Sequence, residues 1–128
     1  VRVLGNTTSS HIAGAKDNAY GDLETFDVDV VSAKKIFLNS DFIKMDVEGE
    51  EAKIIVSTTK KDWENVDMVM EVGTKNNAKV IYDHLKSLGV NMFSQKQGWQ
   101  KVESIDEMPT SYKEGSLFVS QSNRMRWD

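Results

Sequence analysis

The chain alternates between short apolar runs and segments with helical spacing. Residues 42–47 carry Phe42, Ile43, Met45 and Val47; residues 66–72 carry Val66, Met68, Val69, Met70 and Val72. Runs this short and this nearly continuous predict strands buried on both faces. Residues 25–31 alternate instead, with Phe26, Val28 and Val30 on one side and Asp27 and Asp29 on the other, the pattern of a half-solvated strand. Residues 1–4, 90–94 and 117–119 predict further short strands, and residues 99–102 a hairpin arm after the Gly98 turn. Residues 32–38 predict a short helix capped by Ser32. Residues 50–56 predict another, whose leading acids suit the positive end of a helix dipole. The clearest helix repeats Ala78, Ile81, Leu85 and Leu88 at helical spacing, behind a cap at Asn76 or Asn77 and ahead of Gly89, a residue type that terminates helices. Residues 5–22 are rich in Gly, Ser, Thr, Asn and Asp and read as a long loop. The order strand, helix, strand, helix, strand, then a strand with no helix before it, predicts an α/β fold. Its sheet is expected to be mostly parallel, covered by helices, with an antiparallel C-terminal hairpin.

Composition narrows the class. The 128 residues suit one domain, with 39% apolar and 28% charged side chains. The net charge is -4 and no Lys/Arg run exceeds two residues, so no nucleic-acid partner is expected. No apolar stretch approaches the roughly 18 residues of a membrane span, so no membrane partner is expected either. There is no cysteine, which removes disulfides, thiolate nucleophiles and Cys-based zinc sites. The opening VRVLGN has no signal-peptide architecture, and a cytoplasmic protein is expected. It starts directly in a strand-like run, as gene fragments often do.

In open α/β sheets, ligands bind beyond the carboxyl ends of the strands. Two such ends carry unusual chemistry. At Lys44-Met45-Asp46-Val47-Glu48-Gly49-Glu50-Glu51 apolar residues give way to four carboxylates around one glycine. Asp46 and Glu48 are two apart, so extended backbone would turn both to one side, together with Lys44. The shared face allows an ion pair from Lys44 to either acid. Gly49 permits a tight strand-to-helix turn and the close approach of a ligand. The second end is Met70-Glu71-Val72-Gly73. Glu50 and Glu51 fit simple helix capping with solvated carboxylates. For Asp46, Glu48 and Glu71 the spacing leaves capping and site roles open. His84 fits a surface position and Trp63 and Trp99 fit packing. His11 has no nucleophile elbow to serve. No metal site is expected.

The segment Ser40-Asp41-Phe42-Ile43-Lys44-Met45-Asp46-Val47-Glu48-Gly49-Glu50-Glu51 resembles the D-F-I-K-I-D-V-E-G-x-E signature of FkbM family methyltransferases. Residues 67–72 resemble the family's next strand, which ends in Glu. Residues 85–89 resemble its L-x-x-x-G helix end, and Trp99 with residues 117–120 its closing hairpin. Residues 8–10 resemble the small-polar stretch before its variable loop. Residues 28–37 resemble the strand before the signature, with Ala33-Lys34-Lys35 where an acidic pair is usual. The resemblance spans nearly the whole chain. It implies a partial Rossmann-like methyltransferase fold and S-adenosylmethionine as the cofactor of the intact protein. The family's glycine-rich cradle and ribose-holding acid have no counterpart here, since the eight glycines are scattered. Residues 1–128 are therefore expected to be one domain, the C-terminal portion lacking the cofactor-binding motif, with weak or absent cofactor binding by the chain alone.

What the resemblance implies for the site is specific. Asp46 and Glu48 are the expected catalytic residues, Asp46 and Gly49 border the cofactor, and Lys44 and Glu71 contact the acceptor. The expected reaction is O-methylation of a small-molecule or sugar hydroxyl. The alternative is a non-catalytic binding or oligomerisation module derived from the same fold. The signature strand would lie beside a strand this chain lacks, so an apolar edge is expected to be open, and a homodimer with it.

Overall fold

The computed structural model describes residues 2–3, 23–25 and 27–127. The loop expected at residues 5–22 lies outside them. In chain order the elements are β1 (Arg2–Val3), β2 (Leu23–Glu24), α1 (Ala33–Leu38), β3 (Phe42–Met45), α2 (Glu51–Val56), β4 (Asp67–Glu71), α3 (Lys75–Leu88), β5 (Asn91–Ser94), β6 (Gln100–Lys101) and β7 (Ser116–Ser120), with short 3-10 turns between them. β1 and β2 pair antiparallel as a separate two-stranded ribbon. The other strands form one mixed sheet in the order β3-β4-β7-β5-β6.

This sheet corrects the expected parallel character. Only β3 and β4 pair in parallel; β4–β7, β5–β7 and β5–β6 are antiparallel. The alternation of strands and helices still has a physical trace. Because β4 and β5 both run against β7, the three strands linked through helices, β3, β4 and β5, all point the same way. β7 arrives after a stretch without an α-helix and inserts, reversed, between β4 and β5. One insertion turns what would have been a parallel neighbour pair into two antiparallel ones.

The second correction concerns residues 25–31. Residue 26 lies outside the description; residues 27–31 form no ladder and are exposed, Val30 at 91%. Alternation says which face a strand would bury, but a strand needs a neighbour, and the described sheet offers this segment none.

One face of the sheet holds the main core. Met45, Met68, Met70, Leu117, Val119 and Met92 pack there with Ile55 of α2 and Ala78, Ile81 and Leu85 of α3. The three α3 residues are those the helical spacing marks, and they are essentially fully buried. Thr74, not Asn76 or Asn77, caps α3: its Oγ1 accepts from the backbone N–H of Asn77 at 3.1 Å. At the other end Gly89 adopts φ 70°, its N–H donates to Lys86 O and that of Val90 to Leu85 O, the paired bonds of a Schellman stop. Trp63 is 1% exposed, donates Nε1–H to Thr58 Oγ1 at 3.0 Å and meets Phe37 of α1 edge-on. A packing role for Trp63 follows. His84 is half-buried, with Nε2 2.9 Å from Thr58 O.

The opposite face carries a smaller aromatic cluster. Phe118 packs against Phe93, Phe42 and Trp127, and Trp127 meets Trp99 edge-on. Met125 closes it, and Asn91 Nδ2 pins the segment by donating to the carbonyls of Gln121 and Ser122. No helix among the described residues is long and apolar enough to cross a membrane.

Candidate active site

Parallel pairing of β3 with β4 places Met45 beside Met70. Their carboxyl ends therefore emerge on the same edge of the sheet, with Asp46 next to Glu71. Asp46 is exposed and Glu71 half-buried, opposite Ser116 of β7. Lys44 is exposed one turn of the pleat before Asp46, and among the described residues it forms no ion pair.

Beyond Asp46 the backbone leaves the extended state. Glu50 N donates to Val47 O at 3.3 Å, Glu48 adopts φ 52° and Gly49 φ 108°. The left-handed conformation costs a non-glycine residue about 1–2 kcal/mol, so the turn is held by something. The holder is Glu51. It is 1% exposed, its Oε1 accepts from Gly49 N–H at 3.2 Å and its Oε2 from Asn77 Nδ2 at 3.5 Å. Asn77 Nδ2 also donates to Gly49 O at 3.1 Å. One buried carboxylate and one amide thus tie the turn to the starts of α2 and α3. This corrects two expectations. Glu51 is a buried anchor rather than a solvated cap, and the extended backbone that would turn Glu48 to the side of Lys44 and Asp46 ends before Glu48. Glu50, by contrast, pairs with Lys53.

A tyrosine that sequence reasoning missed lies at this end of the sheet. Tyr112 begins the turn Tyr112–Glu114, and its ring lies on the backbone of Gly73, two residues past Glu71; a methyl group at Gly73 would overlap the ring. Tyr112 as a whole is 47% exposed. Burial, and then the charges of Glu51, Glu48, Glu71 and Asp46, push its phenol above the ordinary tyrosine range. The same four acids therefore act electrostatically on one hydroxyl. Glu114 anchors this turn by accepting from Thr110 N–H at 2.6 Å and pairing with Lys96. The signal for Tyr112 is faint: only Gly73, a glycine just past a buried strand, hints that something must lie close. Among the described residues, no three His, Cys, Asp or Glu side chains group tightly enough to hold a metal ion.

Of the expected site residues, Asp46, Glu48 and Glu71 lie at this end of the sheet, where their charges help to raise the Tyr112 phenol. Gly49 belongs to the same turn, but its N–H and C=O are both engaged by Glu51 and Asn77. Comparison with known proteins bears on the whole chain. No curated protein and no solved structure matches it. The profile of the Methyltransferase FkbM domain matches residues 2–109, which include β3, the Glu48-Gly49 turn, β4 and Gly73. The match extends over far more than half of the sequence, and the chain belongs to the FkbM methyltransferase domain family.

Proposed function

We propose that this chain is the acceptor-facing, C-terminal part of an S-adenosylmethionine-dependent methyltransferase domain with a partial Rossmann-like fold, acting on a hydroxyl group of a sugar or other small molecule. The single observation that carries the reading is the parallel β3–β4 pair. It sets Asp46 beside Glu71 at the carboxyl ends of two strands that lie inside the family match. Such strand ends are where open α/β sheets bind ligands.

The cofactor, when bound, supplies an activated methyl group. The residues described do not by themselves fit it. Gly49, which could have met a ligand with its backbone, spends both polar groups on Glu51 and Asn77, whereas a nucleotide-sized ligand needs several convergent free groups. The chemistry assigned to this chain is therefore on the acceptor side. Asp46, exposed at the strand end, accepts a hydrogen bond from the acceptor hydroxyl and orients it. Glu48 takes up the proton that the hydroxyl releases. Lys44 and Glu71 hold the acceptor's remaining polar groups. Displacement at a methyl carbon depends chiefly on alignment, with a base as a further gain.

The test is methyl transfer by the protein that carries the complete domain. Asp46→Asn and Glu48→Gln are each expected to lower turnover about tenfold or more with circular dichroism unchanged. Normal turnover in both variants would reduce these acids to turn formers.

A further inference from the structure

Tyr112 is held at the carboxyl end of the sheet by more contacts than a surface turn needs. The chain approaches it through Met108 and Pro109, both buried. Lys96 donates to the carbonyls of Asp106 and Met108 at 3.3 and 3.4 Å and pairs with Glu114 at 3.2 Å. Glu114 Oε2 also accepts from Thr110 Oγ1 at 3.0 Å. Past the turn, Gly115 adopts φ 91°, and the side chain of Gln95 lies where a Cβ of residue 115 would project. Gln95 Oε1 accepts from Ser116 N–H at 2.9 Å, and Ser116 is the residue opposite Glu71. The turn is therefore tied to the end of β5 through Gln95 and to the end of β4 through Gly73.

The atoms that a methyl group at Gly73 would meet are Cζ, Oη and Cε2 of Tyr112, so the phenol end of the ring covers the end of β4. The hydroxyl there feels the charges of Glu51, Glu48, Glu71 and Asp46. Its raised value keeps it protonated at neutral pH, a donor and not a base. Ionised carboxylates only accept hydrogen bonds, whereas a phenol also donates. One ligand hydroxyl is served by one acid. Two acids on adjacent strand ends, a donor near them and an aromatic ring suit a ligand ring with several hydroxyls. Some of its hydroxyls donate to the carboxylates and one accepts from the phenol. Its C–H groups, which carry partial positive charge, lie on the negative face of the aromatic ring.

We propose that Tyr112 is an acceptor-binding residue and that the acceptor is a pyranose sugar, with hydroxyls on Asp46 and Glu71 and its C–H face on the tyrosine ring. The proposal rests on the methyltransferase reading. It adds to that reading a substrate class and a residue beyond the family match, which ends at residue 109. Gly73 belongs to the same site, because a side chain there would displace the ring.

Saturation-transfer NMR of the full chain tests it, with the aromatic protons irradiated and the methyl pyranosides of glucose, galactose and mannose as probes. Transfer to the ring C–H protons of at least one of these sugars is expected. Y112F keeps the ring and loses the donor; it should weaken binding about fivefold, the share of one hydrogen bond. Y112A and G73A should weaken it about tenfold, G73A by moving the ring without removing it. Circular dichroism should report the same fold in all three variants, and Y112F with G73A suffices if Y112A does not fold. No transfer to any of the three sugars overturns the proposal, and so does transfer that Y112F and G73A leave unchanged. Methyl transfer by the complete domain is a separate readout. Transfer to an acceptor without a sugar ring would sink this proposal and leave the methyltransferase reading standing. Sugar binding through Tyr112 without methyl transfer would remove that reading and keep Tyr112 as a sugar contact.

Discussion

Gly73 and Tyr112 show how one missing methyl group can set the chemistry of a distant side chain. The ring of Tyr112 can lie on the β4 end only because residue 73 has no Cβ. Gly73→Ala is expected to push the ring outward. The ring is the far end of a half-exposed side chain, so stability should change by only about 1 kcal/mol or less. The phenol should then titrate closer to an ordinary tyrosine, read by phenolate absorbance against pH. The sign of the coupling in the unaltered chain follows from the raised phenol value. Stability is insensitive to this group below the ordinary tyrosine range. It falls as pH climbs from there through the raised value, because the unfolded chain releases the proton first. Among the four acids, Glu51 acts most strongly on Tyr112. At this scale the sequence revealed the acids, because a carboxylate cluster interrupts an apolar run. It hid Tyr112, which reaches the same place from a short turn far along the chain. Glu51 was visible only as the final acid of the signature. Its buried carboxylate accepts from Asn77, which no local pattern pairs with it.

At the scale of elements, α3 is the most self-specifying segment. Its apolar stripe, cap and stop all agree, which is why its existence and its end at Gly89 were legible. Its start is not legible in the sequence because Thr74, Asn76 and Asn77 are all small polar residues, and only geometry chooses the one whose side chain turns back to the free N–H groups. Thr74→Ala should cost about 1 kcal/mol, the usual loss of a capping oxygen. Gly89→Ala meets no atom within 4 Å, so its cost is pure backbone strain, about 1–2 kcal/mol. Both are measured by urea denaturation. Residues 27–31 are the contrary case. Their alternation is as regular as that of a strand, yet β structure is completed by a second chain segment, and periodicity carries no information about where that segment is.

Across the whole molecule, the position of β7 was the least legible feature. Sequence gave its existence, as the apolar residues 117–119, but the choice to enter between β4 and β5 is made by contacts distant along the chain, such as Met68 with Val119. The direction of the helix-linked strands was readable; the identity of their neighbours was not. The same scale governs ligand uptake. At the carboxyl ends of β3 and β4 the described residues offer one exposed acid, Asp46, and a turn in which the N–H and C=O of Gly49 are already bonded, which is too little for a nucleotide-sized ligand. Calorimetry of the isolated chain with S-adenosylmethionine is expected to show no heat of specific binding at micromolar concentrations. A micromolar dissociation constant would place a cofactor cradle within these residues after all.

The insertion of β7 also fixes a sequence of events in time. On a ribosome the chain emerges from its first residue onward, so β3, β4 and α3 are free to associate early. β4 and β5 are never neighbours, however, and the slot between them stays empty until Ser116–Ser120 has been made. Throughout that interval both strands present unsatisfied edges, the condition in which nascent chains capture one another or a chaperone. Of the strands in this sheet, the one made last is the one that joins its two halves, and the sheet becomes a single cooperative unit only once that strand has been made.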